Sequence, residues 1–292
     1  MTTPEFTANP DNFCYRHPDR QSFVLCQRCM RTICPQCQTQ APVGVICPEC
    51  MKEQRRNESP AQRKARRRWT SGPVAVADGR PMATYVIIAI TAFVSLLQMI
   101  PGIGDTITHQ LLFNITYVLP QAGYPFEPWR MLTTALVHSG FIHLGLNMLA
   151  LWMIGRVLEP LIGRGRFVAL YVISAFGGSV AVAAIPPFAS TVGASGAVFG
   201  LMAAFFVIAR HLGADVAGIL VVLGINLVIS FVFPGIAWQA HIGGLVAGAL
   251  VGLVYIATRQ RSQRVVRILL LTAIVVGLAL VVVVVPPLIA LR

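Results

Sequence analysis

The chain has 292 residues, of which 55% are hydrophobic and only 12% are charged, and its mean hydropathy is +0.69. This composition excludes an ordinary soluble protein and predicts an all-α polytopic membrane protein. The net charge of +12 mainly indicates membrane topology and contact with anionic lipid headgroups, because the basic run before the first apolar segment adjoins that segment and lacks interleaved aromatic residues. We therefore expect a partner in the lipid bilayer and no nucleic-acid binding.

The first informative region, residues 14–50, contains all seven cysteines in four chelating pairs. The pairs are Cys14 and His17, Cys26 and Cys29, Cys34 and Cys37, and Cys47 and Cys50. Eight ligands are enough for two closed tetrahedral Zn²⁺ sites, which are structural rather than catalytic. Disulfides are the competing interpretation, but seven is an odd number and we expect this segment to face a reducing compartment. Ligand pairing could be sequential or interleaved, and the short gap between the second and third pairs favours interleaving.

This spacing resembles a B-box-type zinc finger, which implies a protein-interaction module with a possible cytosolic partner. Residues 1–54 have few large apolar side chains, so we expect this domain to fold only together with its metal. Residues 55–80, rich in charge, Pro and Ser, are expected to form a basic, flexible linker. No N-terminal signal peptide is expected, because the first 50 residues are polar and cysteine-rich.

Seven apolar segments of membrane-spanning length follow the linker, near residues 83–100, 141–158, 167–185, 195–209, 217–233, 240–258 and 266–286. Lys and Arg lie before the first segment and after the second, fourth and sixth, and short basic loops stay in the cytoplasm. We therefore predict an integral protein of the cell membrane with a cytoplasmic N-terminus. The second, fourth and sixth segments then begin at the outer level of the bilayer.

Four polar residues lie near those three starts. They are His143, Asn147, Ser195 and His241. Polar groups in hydrocarbon are costly, so a cluster at one depth is a functional candidate. Any one of them could instead form a hydrogen bond between helices, which is the role we expect for Asn226. Together, Ser195 and His241 predict a catalytic dyad in which the imidazole activates the hydroxyl, facing the outer side.

Small residues predict close packing between the fourth and sixth segments. The glycines spaced by four are Gly196 and Gly200 in one segment and Gly244 and Gly248 in the other. Such stripes let two backbones approach closely, and we expect them to bring Ser195 Oγ within hydrogen-bond reach of His241. Structural packing alone would also explain the glycines. Phe199, one turn after Ser195, could give the imidazole an aromatic face or could simply fill the core.

The acidic residues indicate a dyad rather than a triad. None of the eleven falls in the outer half of a predicted segment, so we expect packing to orient the imidazole. Stabilisation of an oxyanion needs hydrogen-bond donors. His143 and Asn147 are four residues apart on one helix face, and the backbone N–H of Ser195 is at a helix N-terminus. These three groups could form the oxyanion hole.

The combined motifs resemble the rhomboid family of intramembrane serine proteases over roughly residues 80–260. The matching elements are Glu127-Pro128-Trp129-Arg130, His138 followed by His143 and Asn147, Gly193-Ala194-Ser195-Gly196, and Ala240-His241 with Gly244 and Gly248. Phe199 departs from the pattern, since many members carry tyrosine there, but the aromatic ring is kept.

The resemblance implies a six-helix core at residues 81–262 and a seventh helix at residues 263–292. It implies cleavage of other membrane proteins in or near their transmembrane segments, with substrate entry beside the fifth segment. Ser195 would be the nucleophile, His241 the base, and His143, Asn147 and the Ser195 amide the oxyanion site, while Trp129 and Arg130 would be structural. The alternative is a catalytically silent adaptor that binds membrane clients. Intact Ser195 and His241 favour the protease.

Overall fold

A computed structural model describes residues 9–40, 44–57, 80–119 and 122–290. The chain divides into two compact units, Met1–Trp69 and Thr70–Arg292. Most of the predicted linker, residues 55–80, lies outside the described residues.

The first unit is small and is built around its cysteines. Strands β1 (Phe13–Cys14) and β2 (His17–Gln21) pair antiparallel, as do β3 (Thr39–Gln40) and β4 (Val45–Ile46), and helix α1 (Pro48–Arg56) follows. The buried core consists of Ile33, Ile46 and six of the seven cysteines. Two isoleucines bury too little apolar surface to stabilise a domain of this size, so further cross-links within it are required.

The second unit is helical. Its helices are α2 (Met82–Leu97), α3 (Gly104–Leu111), α4 (Arg130–Thr133), α5 (Phe141–Ile162), α6 (Arg164–Ala184), α7 (Ser195–His211), α8 (Ala217–Val232), α9 (Trp238–Ala257) and α10 (Arg264–Ala290). Helices α2 and α5–α10 correspond to the seven predicted segments. Among the described residues, α5, α6, α9 and α10 are long and apolar enough to span a membrane, while α2, α7 and α8 are shorter apolar helices. The predicted all-α polytopic class is confirmed.

The core of this unit lies between α6, α7 and α9. Phe167 and Leu170 of α6, Leu201 and Ala204 of α7, and Val251 of α9 are fully buried in one cluster. By contrast, Ser230 is the single buried residue among those of α8. The apolar side chains of α8 are therefore free to contact lipid, whereas α7 and α9 are fixed on several sides.

A buried carboxylate joins the C-terminal end of α5 to the start of α2. Glu159, 2% exposed, accepts hydrogen bonds from Ala83 N at 2.9 Å and from both Thr84 N and Thr84 Oγ1 at 2.7 Å. The first N–H groups of a helix lack intrahelical partners and favour a negative charge. Glu159 supplies both the acceptors and the charge, so it fixes α2 antiparallel to α5.

A buried guanidinium organises the segment between α2 and α5. Arg130, 4% exposed, is hydrogen-bonded to the Glu127 carboxylate and to the His109 carbonyl, and it lies 4.0 Å above the Tyr117 ring. Trp129 is 54% exposed. Arg130 therefore ties α3 and the start of α4 to the intervening loop, while the Trp129 side chain contributes little to this packing.

Candidate active site and metal clusters

Helices α7 and α9 cross with their backbones in direct contact. A Cβ atom at Gly244 would lie 1.9 Å from Gly196 O, and a Cβ at Gly248 would lie 2.1 Å from Gly200 O. Only glycine permits such an approach. Near the start of both helices, a Cβ at Gly196 would lie 3.1 Å from Ala240 O. Because Gly196 follows Ser195 and Ala240 precedes His241, the serine and the histidine project from adjoining stretches of backbone.

The His241 imidazole is buried and is fixed on two sides. Its ring stacks on Phe199, with centroids 4.1 Å apart and planes 11° apart, and its Nδ1 lies 2.5 Å from Ser230 Oγ. Ser195 itself is partly exposed. In the described part of the chain, no hydrogen bond joins Ser195 Oγ to His241. Such bonds are often long in unliganded enzymes and shorten when substrate binds.

The loop before Ser195 is held by a second buried histidine. Ala194 N donates to His138 Nε2 at 3.3 Å, and His138 Nδ1 lies 3.0 Å from Ser95 Oγ. The neighbouring Gly193, with φ +120°, donates its N–H to Thr134 O at 2.9 Å. The first residue of α7 is thus preceded by a loop anchored on α2 and on the segment after α4. Sequence reasoning named His138 only through the family resemblance and gave Ser95 no role.

His143 and Asn147 lie on the face of α5 that meets this loop. The backbone N–H of Ser139 donates to His143 Nδ1 at 3.3 Å, so Nδ1 is an acceptor and the neutral ring carries its hydrogen on Nε2. A Cβ at Gly193 would lie 2.8 Å from that Nε2. Asn147 is buried, and its Nδ2 donates to His143 O at 2.9 Å, which leaves a second amide hydrogen.

The expectation for Asn226 was wrong. Its Nδ2 donates to Val222 O at 2.8 Å within α8, and among the described residues its side chain has no hydrogen bond to another helix. Asn226 is exposed, and its amide can satisfy a donor on its own helix because the carbonyl four residues earlier is within reach.

The acidic residues after residue 80 have hydrogen-bonding partners other than His241 or none among the described residues. They are Asp105, Glu127, Glu159 and Asp215. Glu127 pairs with Arg130, Glu159 caps α2, and Asp215 accepts from Ala217 N at 2.9 Å. None of the four is hydrogen-bonded to the imidazole in the described residues, so its orientation depends on Phe199 and Ser230.

In the N-terminal unit, the four chelating pairs form two clusters. One contains Cys14, His17, Cys34 and Cys37, and the other contains Cys26, Cys29, Cys47 and Cys50, with the ligand atoms of each cluster within 4.8 Å of one another. The pairs are therefore interleaved, as the short gap favours. All seven cysteines are free, so the disulfide interpretation does not apply.

The dimensions of the clusters fit a tetrahedral metal. His17 Nδ1 lies 3.8 Å from Cys14 Sγ and 3.4 Å from the sulfurs of Cys34 and Cys37, and Cys29 Sγ lies 3.8 Å from Cys47 Sγ. A tetrahedron with usual zinc bond lengths has N···S edges of about 3.6 Å and S···S edges of about 3.8 Å. Each cluster could therefore hold one such ion with every position occupied by protein.

The electrostatics of the clusters also favour a cation. Burial raises the pKa of the Cys14 and Cys26 thiols, but backbone N–H donors to their sulfurs outweigh it and lower each pKa to about 6. In the same clusters, burial and the neighbouring sulfurs raise the pKa of Cys37 to about 11 and raise that of Cys50 further. Several thiolates this close together repel one another, and a bound cation removes that repulsion.

Comparison with known proteins gives a consistent result for the helical unit. The Rhomboid domain family model matches residues 125–258. Rhomboid protease GluP of Bacillus subtilis (strain 168) is 35% identical over 182 residues, covering 59% of this chain and 34% of that protein. RHOMBOID-like protein 4 of Arabidopsis thaliana is 38% identical over 135 residues, covering 44% and 34%. Putative rhomboid protease YdcA of Bacillus subtilis (strain 168) is 31% identical over 141 residues, covering 46% and 71%. The chain thus spans about a third of the first two relatives and most of the third.

Proposed function

The chain belongs to the rhomboid family, and from this premise we propose that it is an intramembrane serine endopeptidase. Its substrates are other membrane proteins, cleaved in or near their transmembrane segments. The observation that carries the proposal is the backbone contact between α7 and α9, which brings Ser195 and His241 to the same end of the bundle. His143 lies against the loop at that end.

In the proposed reaction, Ser195 Oγ attacks the carbonyl carbon of the scissile peptide bond while His241 Nε2 takes the hydroxyl proton. Negative charge develops on the carbonyl oxygen and is stabilised by donors aimed at it. These donors are the Nε2–H of His143, the second amide hydrogen of Asn147 and the backbone N–H of Ser195. His241 then gives its proton to the leaving amine.

The same imidazole next activates a water molecule that hydrolyses the acyl-enzyme and restores Ser195. Water must reach the site for this step, and the partial exposure of Ser195 supports such access. Phe199 keeps the imidazole plane fixed through both proton transfers by stacking against it. A ring without a hydroxyl is sufficient for that role, so phenylalanine at this position is compatible with activity.

We further propose that each Cys/His cluster binds one structural Zn²⁺. The interatomic distances support zinc, since they match the edges of its usual tetrahedron. The ions complete the fold of residues 1–54, because ligand binding and folding are coupled in domains with so small a core. This domain, joined by the basic linker 55–80 to the core 81–262 and the seventh helix 263–292, would bind a cytosolic protein partner.

The proposed topology has the N-terminus in the cytoplasm and the active site toward the outer side of the cell membrane. Helices α5, α7 and α9 begin on one side of the bundle, as the contacts of His143 with Gly193 and of Gly196 with Ala240 require. Arg164, Arg210 and Arg259 lie near the opposite ends of helices, and basic residues favour the cytoplasm. Substrates would enter beside α8, whose apolar side chains are largely exposed.

Cleavage of a single-span membrane substrate in proteoliposomes tests the proposed activity. The unmodified protein is compared with Ser195→Ala and His241→Ala at matched folding. Ser190→Ala is the control, since among the described residues the only hydrogen bond of that exposed hydroxyl is with Asn114 Nδ2 at 3.2 Å. We expect cleavage to be lost in the first two variants and retained in the control. Cleavage retained by Ser195→Ala would refute the proposal, and no cleavage of any substrate by the unmodified protein would favour a silent adaptor.

A further inference from the structure

Ser230 connects α8 to the imidazole of the proposed dyad. It is 2% exposed, whereas the other described side chains of α8 are at least partly exposed. Its Oγ lies 2.5 Å from His241 Nδ1 and 2.7 Å from Asn226 O. This hydroxyl is therefore the hydrogen-bonding partner of the imidazole on the side away from Nε2.

The number of hydrogens decides the direction of these two bonds. A serine hydroxyl has one hydrogen, and a backbone carbonyl can only accept. If Ser230 donates to Asn226 O, as the 2.7 Å contact requires, its oxygen must accept at the second contact. The hydrogen of the second bond then lies on His241 Nδ1. The neutral imidazole consequently carries its lone pair on Nε2, which is the form a base needs.

The same arrangement occurs at the other buried histidine, where its direction is fixed independently. His138 Nε2 accepts from the backbone N–H of Ala194, and a backbone N–H can only donate. The hydrogen of His138 must then lie on Nδ1, and Ser95 Oγ, 3.0 Å away, must accept it. Ser95 places its own hydrogen on Leu136 O at 3.0 Å. A serine that donates to a carbonyl and accepts from an imidazole therefore occurs at both buried histidines, as Ser95 beside His138 and as Ser230 beside His241.

We propose that Ser230 is a positioning residue for the base, which acts by accepting the Nδ1 hydrogen of His241 and so fixes the tautomer with Nε2 unprotonated. This inference rests on the proposed function, because it assigns the orientation of that same site. When His241 takes the proton of Ser195, Nδ1–H still donates to Ser230, and the hydroxyl dipole, aligned by Asn226 O, stabilises the imidazolium. Displacement of α8 would remove this acceptor, so the position of α8 and the state of the base are linked.

Comparison of two variants, Ser230→Thr and Ser230→Val, distinguishes the effect of the hydroxyl from the effect of side-chain packing. Both residues are β-branched and nearly equal in volume, and threonine can still donate to the carbonyl four residues earlier. We expect Ser230→Thr to keep kcat near that of the unmodified protein. Ser230→Val and Ser230→Ala should lower kcat by about 10- to 100-fold with little change in KM, since only part of the general-base contribution is lost. Equal kcat values for the threonine and valine variants would overturn the inference.

A second measurement reads the tautomer directly and does not depend on activity. In protein with ¹⁵N-labelled histidine, the ring nitrogens of His241 are identified by the signals that disappear in His241→Gln. We expect a protonated Nδ1 and an unprotonated Nε2, and a loss of this single form in Ser230→Val but not in Ser230→Thr. Protonation of Nε2 in the unmodified protein would refute the role of Ser230.

The two measurements distinguish failure of this inference from failure of the proposed function. Absence of cleavage in the unmodified protein would refute the protease, while the nitrogen signals would still decide the role of Ser230. Cleavage that depends on Ser195 but is equal in the threonine and valine variants would leave the protease intact and reject the positioning role.

Discussion

Substitution of Gly248 by alanine tests whether the backbone crossing of α7 and α9 maintains the site. The added Cβ would lie 2.1 Å from Gly200 O and 2.4 Å from Gly200 Cα, whereas ordinary contacts begin at 3.4 Å. The atoms in the way belong to backbone and cannot rotate aside. The two helices must therefore separate by about 1 Å at this level, because overpacking is relieved only by a shift of the backbone.

Two effects on stability oppose each other in this variant. Overpacking costs roughly 1 to 3 kcal/mol, and replacing glycine by alanine in a helix interior recovers about 1 kcal/mol. The net loss should be about 0 to 2 kcal/mol. The effect on activity is larger, since displacement of a reacting group by about 1 Å can lower the rate about 100-fold. His241 and Gly248 lie on the same helix, so a shift of α9 moves the base away from Ser195.

The assay measures the thermal unfolding midpoint in detergent and kcat in proteoliposomes for the same preparations. Gly277→Ala in α10 is the matched control, because a Cβ there would have no atom within 4 Å among the described residues outside its own helix backbone. It should keep both values or raise the midpoint slightly. We expect Gly248→Ala to lower the midpoint and to lower kcat by about 100-fold. If both values equal those of the control, the backbone crossing does not set the geometry of the site.

Three further outcomes are expected. Asn147→Ala should lower kcat by roughly 10- to 1,000-fold at an unchanged unfolding midpoint, as for other oxyanion donors; unchanged steady-state kinetics would remove Asn147 from the site. Glu159→Gln should destabilise the protein by about 1 to 3 kcal/mol, because an amide replaces a charged acceptor at the start of α2; an unfolding midpoint equal to that of the unmodified protein would contradict this role. Elemental analysis should find about two zinc ions per unmodified chain and about one in Cys34→Ser. A zinc content near zero in unmodified protein, with the cysteines found in disulfides instead, would exclude the zinc hypothesis.

The helices were predictable from sequence because their signal is local. Apolar runs of suitable length gave all seven segments, and the predicted start of the fourth at residue 195 coincides with the first residue of α7. The interleaving of ligand pairs was also favoured by a local feature, the gap between Cys29 and Cys34. Both predictions, of the helices and of the ligand pairing, depend only on the spacing of residues along the chain, so they can be made from the sequence.

The roles of Ser95, His138 and Ser230 were not predictable in the same way. A serine in an apolar helix usually donates to the carbonyl four residues earlier, and Ser230 does so. Its second contact, to His241, depends on how α8 packs against α9. The residue pattern of α8 does not indicate that packing. His138 was visible as part of a motif, but its bond to Ala194 N depends on the path of the loop before α7.

The surroundings of His241 explain why a hydroxyl suits its position better than a carboxylate. A charged aspartate at the centre of a bilayer costs about 2.5 to 3.5 kcal/mol on insertion scales. The carboxylates that this unit does use lie where a charge is compensated, as Glu127 is by Arg130 and Glu159 is by the start of α2. Ser230 carries no charge, and its hydrogen is satisfied by its own helix. A neutral acceptor stabilises the imidazolium less than a carboxylate would. The proposed dyad therefore gives up some stabilisation of the protonated base, and in return, among the described residues, no carboxylate is hydrogen-bonded to the buried imidazole.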